Sequence, residues 1–135
     1  MTTSSHPRLN KEVYLGSDRE SDIERLLGEL EAADVQCVID LRLGLSRSDI
    51  ALIELGAQSR HMHFAYLPEL AEAPEAAGQP SRALAWAART ALRYRTCLLT
   101  QGRSKETDGA RQIAALVGLR LVSLGEISDS EETAG

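Results

Sequence analysis

Cys37-Val38-Ile39-Asp40-Leu41-Arg42-Leu43-Gly44-Leu45-Ser46-Arg47 is the stretch that decides the fold. An uninterrupted apolar run, Cys37-Val38-Ile39, suits a parallel strand covered on both faces. Asp40-Leu41-Arg42 then gives the strand a polar C-terminal end, and Gly44 to Ser48 reads as a loop. On the N-terminal side, Ile23, Leu26, Leu27 and Leu30 repeat at i, i+3, i+4 and i+7, one apolar face of a helix ending near Ala33. Ser17 or Asp18 is positioned to cap that helix, because a short side-chain oxygen accepts a free N–H of the first turn. Before it stands a short strand, Val13-Tyr14-Leu15, closed by Gly16.

The same alternation continues toward the C-terminus. Asp49 starts a helix with Ile50, Ile53 and Ala57 on its apolar side, and His61 to Leu67 alternates as a third strand. Pro68 to Pro80, rich in Ala, Glu and Pro, reads as a long loop. Ser81 caps a helix that turns Leu84, Ala87, Ala88, Ala91 and Leu92 inward, and Thr96 to Thr100 is a fourth strand. A polar loop, Gln101 to Asp108, leads to a helix carrying Ile113, Ala114, Leu116 and Val117, stopped by Gly118. Leu119 to Leu124 is the fifth strand. The order βαβαβαβαβ predicts a single-domain α/β fold: an open, mostly parallel five-stranded sheet, Rossmann-like, with helices on both faces. The domain is expected over residues 12–126, between an N-terminal tail over 1–11 and an acidic C-terminal tail over 127–135.

A chain of 135 residues with 43% hydrophobic and 26% charged residues fits one domain with a real core. The net charge of −5 opposes binding to a nucleic-acid backbone, which needs a basic footprint. No apolar run reaches the length of a membrane span, and the first ten residues lack the apolar core of a signal peptide. Cys37 and Cys97 each open an apolar run, as buried thiols of a reducing compartment do. A cytoplasmic location is therefore expected.

In such a sheet, ligands bind outside the carboxyl ends of the strands, where helix N-termini also favour anions. That rule nominates Gly16 to Asp18, Asp40 to Arg47, Pro68-Glu69 and Thr100 to Asp108. The cations Arg42, Arg47, Arg103 and Lys105 point to an anionic ligand, with the alternative that they pair with Asp40 and Glu69 as a structural network. Cys97, five residues, then Arg103-Ser104 has the spacing of a phosphotyrosine-phosphatase loop. Leu98-Leu99-Thr100 continues the strand past that cysteine, however, and Thr96 stands where the usual His would. His61 and His63, two apart on a strand, share a face, but no third ligand completes a metal site. Dinucleotide, P-loop and nucleophile-elbow motifs are absent, so no cofactor is expected. Trp86, the only tryptophan, reads as core or interface packing.

These residues resemble the domain-of-unknown-function 488 family. Val13-Tyr14-Leu15-Gly16, the Cys37 to Arg47 stretch and Phe64-Ala65-Tyr66-Leu67-Pro68-Glu69-Leu70 carry the likeness, which spans residues 13–126 by order and spacing. Asp40, Arg42, Ser46, Pro68 and Glu69 fit the family's pattern, and Arg111 matches the Arg of its Cys-His-Arg segment. The family's Cys-Ala-Glu is here Thr100-Gln101-Gly102, and its Cys-His-Arg is Gly109-Ala110-Arg111. Chemistry that depends on those cysteines, that glutamate or that histidine is not available to this chain.

The primary expectation is a protein that binds a small anionic or nucleotide-like ligand at the C-terminal edge of its sheet. Asp40 and Glu69 would be its acid or base, and Arg42, Ser46, Arg47, Thr100, Gln101, Arg103 and Arg111 would contact the ligand. The second expectation is an accessory module without catalysis, serving a protein partner or forming a homodimer, since the edge strands of a small open sheet need covering. A Cys97-dependent phosphatase or sulfurtransferase ranks third.

Overall fold

The computed structural model describes residues 10–17, 23–72, 75–76 and 79–124. The expected tails lie almost wholly outside them, as does Asp18 of the Ser17 or Asp18 cap, while Ser17 is the last residue of the first strand. Five strands, β1 (Glu12–Ser17), β2 (Cys37–Asp40), β3 (His63–Tyr66), β4 (Thr96–Thr100) and β5 (Arg120–Ser123), form one sheet. Every neighbouring pair is parallel, and the order is β3-β2-β4-β1-β5. The connecting helices are α1 (Ile23–Ala32), α2 (Arg47–Ser59), the single turn α3 (Glu69–Glu72), α4 (Arg82–Arg93) and α5 (Ser104–Val117).

Side-chain alternation along the strands builds two cores. One face of the sheet packs Tyr14, Val38, Cys97 and Leu99 against Leu26, Leu27 and Leu30 of α1 and Ile53 and Ala57 of α2. The other packs Val13, Ile39, Leu41 and Leu98 against Leu84, Ala87 and Ala91 of α4 and Ala110 and Ile113 of α5. α1 and α2 thus carry the chain in one direction along the sheet, and α4 and α5 carry it back across the opposite face. β4, buried at all five positions, lies in the middle.

Two glycines permit close approaches. A Cβ on Gly56 would lie 2.3 Å from Leu27 Cδ1, where α2 meets α1, and one on Gly109 would lie 2.4 Å from the Leu70 carbonyl oxygen, where α5 meets α3. Three helices end in a left-handed residue: Asp34 (φ 58°) after α1, His61 (φ 61°) after α2 and Gly118 (φ 69°) after α5. Each is followed by a residue whose N–H reaches back to the helix: Val35 to Leu30, Met62 to Ala57 and Leu119 to Ala114. This is the Schellman closure, which satisfies the last free carbonyls.

Several expected boundaries move. α2 begins at Arg47 rather than Asp49, because Ser46 Oγ accepts the Asp49 N–H and caps the helix two residues earlier. α5 begins at Ser104, so most of the expected Gln101 to Asp108 loop is helix; its polar residues are those of a first turn at the sheet edge. Within the expected Pro68 to Pro80 loop lie α3 and a two-residue antiparallel ladder, Glu75–Ala76 with Gln79–Pro80. His61 is the turn residue that closes α2, so it does not share a strand face with His63. The Ser81 cap stands as expected, its Oγ accepting the Leu84 N–H.

Candidate functional site

The strand order creates one point where adjacent strands send the chain away from each other, toward opposite edges of the sheet as well as opposite faces. β2 leads to α2 on one side, and its neighbour β4 leads to α5 on the other. Such a switch point opens a crevice at the carboxyl ends, the usual ligand position in open α/β sheets.

Buried charge concentrates there. Among the described residues, the buried polar side chains are Asp40, Arg42, Thr96, Thr100 and Glu106, and all but Thr96 sit at this edge. Asp40 is 0% and Arg42 3% exposed. The Arg42 guanidinium grips the carboxylate with two prongs, Nε donating to Oδ1 at 3.0 Å and Nη2 to Oδ2 at 2.9 Å. The Arg42 backbone N–H donates to Oδ1 as well, at 3.0 Å. The Tyr66 hydroxyl, from the end of β3, donates to the Arg42 carbonyl at 2.8 Å. Burial of either charge alone would be expensive, and the two-pronged geometry offsets that cost.

Glu106 was not among the residues singled out from sequence. It is fully buried in the first turn of α5. Its Oε1 accepts the Gln101 N–H at 2.5 Å and its Oε2 accepts the Leu43 N–H at 2.9 Å. One carboxylate therefore bridges the β2–α2 and β4–α5 loops across the crevice. The helix N-terminus beneath it favours the negative charge. A sequence signal did exist: Glu three residues after a helix N-cap commonly reaches back to loop N–H groups. Reading Gln101 to Asp108 as a loop hid it.

The remaining nominated residues divide by position. Thr100, buried at the end of β4, donates from Oγ1 to the Gly16 carbonyl at 3.3 Å and accepts the Gly102 N–H at 3.4 Å. Gln101 contributes its backbone N–H to Glu106. Ser46 caps α2, and Arg47 follows it, exposed. Arg103 is the exposed N-cap of α5 and supplies no side-chain cap to that helix. Glu69 opens α3, exposed, after the end of β3. Arg111 lies about 10 Å along α5 from its first residue, exposed and 3.9 Å from Asp108, so it is not brought to the strand ends.

Cys97 is the second residue of β4 with 0% exposure, and burial pushes its thiol up to about 12. Burial also raises the Cys37 thiol, to about 11. Neither provides the thiolate that phosphoryl or sulfur transfer needs at neutral pH. Among the described residues, no three His, Cys, Asp or Glu side chains converge as a metal site, and no helix is long and apolar enough to cross a membrane.

Away from the switch point, a concavity of about 420 Å³ runs along β3 between the end of α2 and the flank of α4. Phe64, Met62, Trp86 and Tyr94 dominate its wall, with Gln58, His63 and Thr90 as polar groups; among the described residues no Asp, Glu, Lys or Arg lines it.

Comparison with protein-family models, curated proteins and solved structures finds no match.

Proposed function

We propose that this protein binds a small anionic, nucleotide-like ligand over the β2/β4 switch point. The observation that carries the reading is the gathering of Asp40, Arg42, Thr100 and Glu106, buried, at that one edge. Burying charge is costly, and here it fixes the two loops that carry the exposed cations Arg47 and Arg103 on either side of the switch point. Arg42 supports the loop rather than reaching the ligand, because it is buried and two of its guanidinium nitrogens donate to Asp40. Asp40 is held in the same pair. The groups left for the anion are the exposed Arg47 and Arg103 with the first-turn N–H groups of α5. This reading is of binding, with no catalytic role for Asp40.

A thermal-shift screen with inorganic phosphate, nucleoside monophosphates and sugar phosphates tests it. A ligand at about 100 times its dissociation constant adds about 2.7 kcal/mol. The expected result is a shift that Arg103→Ala and Arg47→Ala each reduce and Arg111→Ala leaves intact. No shift with any of these anions, or a shift insensitive to all three substitutions, would remove the reading. A second reading, a protein-interaction module, is favoured by the aromatic groove along β3, lined by Phe64, Trp86 and Tyr94.

A further inference from the structure

α4 divides by face. Leu84, Ala87, Ala88 and Ala91 are buried against the sheet. On the opposite side, Arg82, Trp86, Arg89 and Arg93 fall at i, i+4, i+7 and i+11, one exposed stripe about 16 Å long. Arg82 to Arg95 holds four arginines and no Asp or Glu, in a chain whose net charge is −5. The whole-chain charge opposes a polyanion, but at physiological salt charges are screened beyond about 8 Å. Cations segregated on one helix face therefore set a positive local field. Among the described residues, Arg82, Arg89 and Arg93 make no ion pair.

The aromatic groove opens beside this stripe. Trp86, Thr90 and Tyr94 fall at i, i+4 and i+8 and line it from α4, opposite Phe64 of β3. Trp86 is 39% and Tyr94 45% exposed, and the Tyr94 ring meets His63 edge-on with centroids 6.2 Å apart. Gln58, His63 and Thr90 place hydrogen-bonding groups among these rings. Trp86 belongs to both features: it lines the groove, and Arg82 and Arg89 stand one helical turn to either side of it.

We infer that this face binds single-stranded nucleic acid, with bases stacked on Trp86 and Tyr94 and phosphates held by Arg82, Arg89 and Arg93. Exposed aromatic rings beside a row of cations are the two parts such a surface needs, one for the faces of the bases and one for the backbone. Gln58, His63 and Thr90 meet the polar edges of a base that enters the groove. A duplex keeps its bases stacked inside and could use only the arginines. An acidic peptide would likewise pair with the arginines and leave the rings unused. A second copy of this chain would bring two arginine stripes together. The inference goes beyond the anion site and does not depend on it, because Arg47 and Arg103 lie at the switch point and these residues do not.

Fluorescence anisotropy of a labelled single-stranded oligonucleotide of about ten nucleotides, titrated with the full chain over a salt series, tests it. The expected result is saturable binding that also quenches emission from Trp86, the only tryptophan. Three phosphate contacts make log Kd rise with log salt at a slope of about 2, and Arg82→Ala, Arg89→Ala and Arg93→Ala should each remove about 0.7 of it. Trp86→Ala should weaken binding roughly tenfold and leave the slope unchanged, which separates stacking from charge. Arg111→Ala, an exposed arginine of α5, should change neither. Unfolding curves identify any variant that fails to fold, and the exposed arginine positions then carry the test. No saturable binding at low salt overturns the proposal. So does binding that Arg103→Ala weakens and the folded α4 variants retain, since the strand would then sit at the anion site. Displacement by poly-glutamate or by a duplex of the same sequence, as effective as by the unlabelled strand, overturns it equally, because charge alone would suffice.

Discussion

Arg42 holds Asp40 through three hydrogen bonds inside a protein where both are cut off from water. Arg42→Ala leaves a buried carboxylate without its partner. The expected loss is about 3–5 kcal/mol, a large fraction of the roughly 5–15 kcal/mol that holds a domain folded. Urea denaturation measures it, and a loss below about 1 kcal/mol would show that the pair is not held as described. Arg42→Ala is thus a stability variant, unsuited as a binding control. The cysteines make a second prediction at this scale. Burial raises Cys37 to about 11 and Cys97 to about 12, from an ordinary 9.0. Below pH 9 both states keep these protons and the contribution is complete. Above it the unfolded chain loses protons that the folded chain retains, so stability falls as pH rises toward the folded values. For Cys97 the slope is about 1.4 kcal/mol per pH unit, with a smaller term from the less buried Cys37. Urea midpoints measured across that range should decline less steeply in the Cys37→Ala, Cys97→Ala double variant. Asp40 and Arg42 were legible in the sequence as residues of interest because the strand-end rule is local. That they pair with each other depends on where the chain turns after β2.

At the scale of elements, the helix stops carry a measurable cost. Gly118 takes a left-handed conformation freely, whereas a side chain at His61 or Asp34 opposes it. His61→Gly is expected to stabilise the protein by about 0.5–1 kcal/mol. Asp34→Gly should give less, since Asp tolerates this region better, and Gly118→Ala should cost about 1 kcal/mol. Thermal melts of the three variants check the order, and a destabilised His61→Gly would show that its side chain has a role that the turn does not. The strands and the four long helices were legible because their apolar spacing repeats over several turns, as with Leu84, Ala87, Ala88 and Ala91. The start of α5 was not. Its first turn, Ser104 to Thr107, is wholly polar, and only tertiary packing buries Glu106 among its neighbours. The start of α2 was missed by two residues because Ser46 and Ser48 are both competent caps by composition, and geometry selects the first.

Across the whole molecule, strand order is what the sequence leaves open. Alternation identifies five strands but not that β4 inserts between β1 and β2, because pairings such as Leu15 with Leu98 join distant segments. The inserted strand carries the centre of both cores, Cys97 and Leu99 on one side and Leu98 on the other. Native-state hydrogen exchange should therefore be slowest for amides of β4 and of β2 beside it, and faster along β3 and β5 at the edges. A β3 edge protected as strongly as β4 would contradict this gradient.

The insertion also sets a timetable for synthesis. A ribosome delivers β1, β2 and β3 before β4, yet both neighbours of β1 are strands made later. Until Thr96 to Thr100 has emerged, β2 and β3 are the only strands able to find their final partner, and Val13, Tyr14 and Leu15 wait without a place in the sheet. Parallel, long-range pairing of this kind is slow and leaves apolar segments uncovered in the meantime. The chain's demand for chaperone protection is thus concentrated in the interval before its fourth strand leaves the exit tunnel.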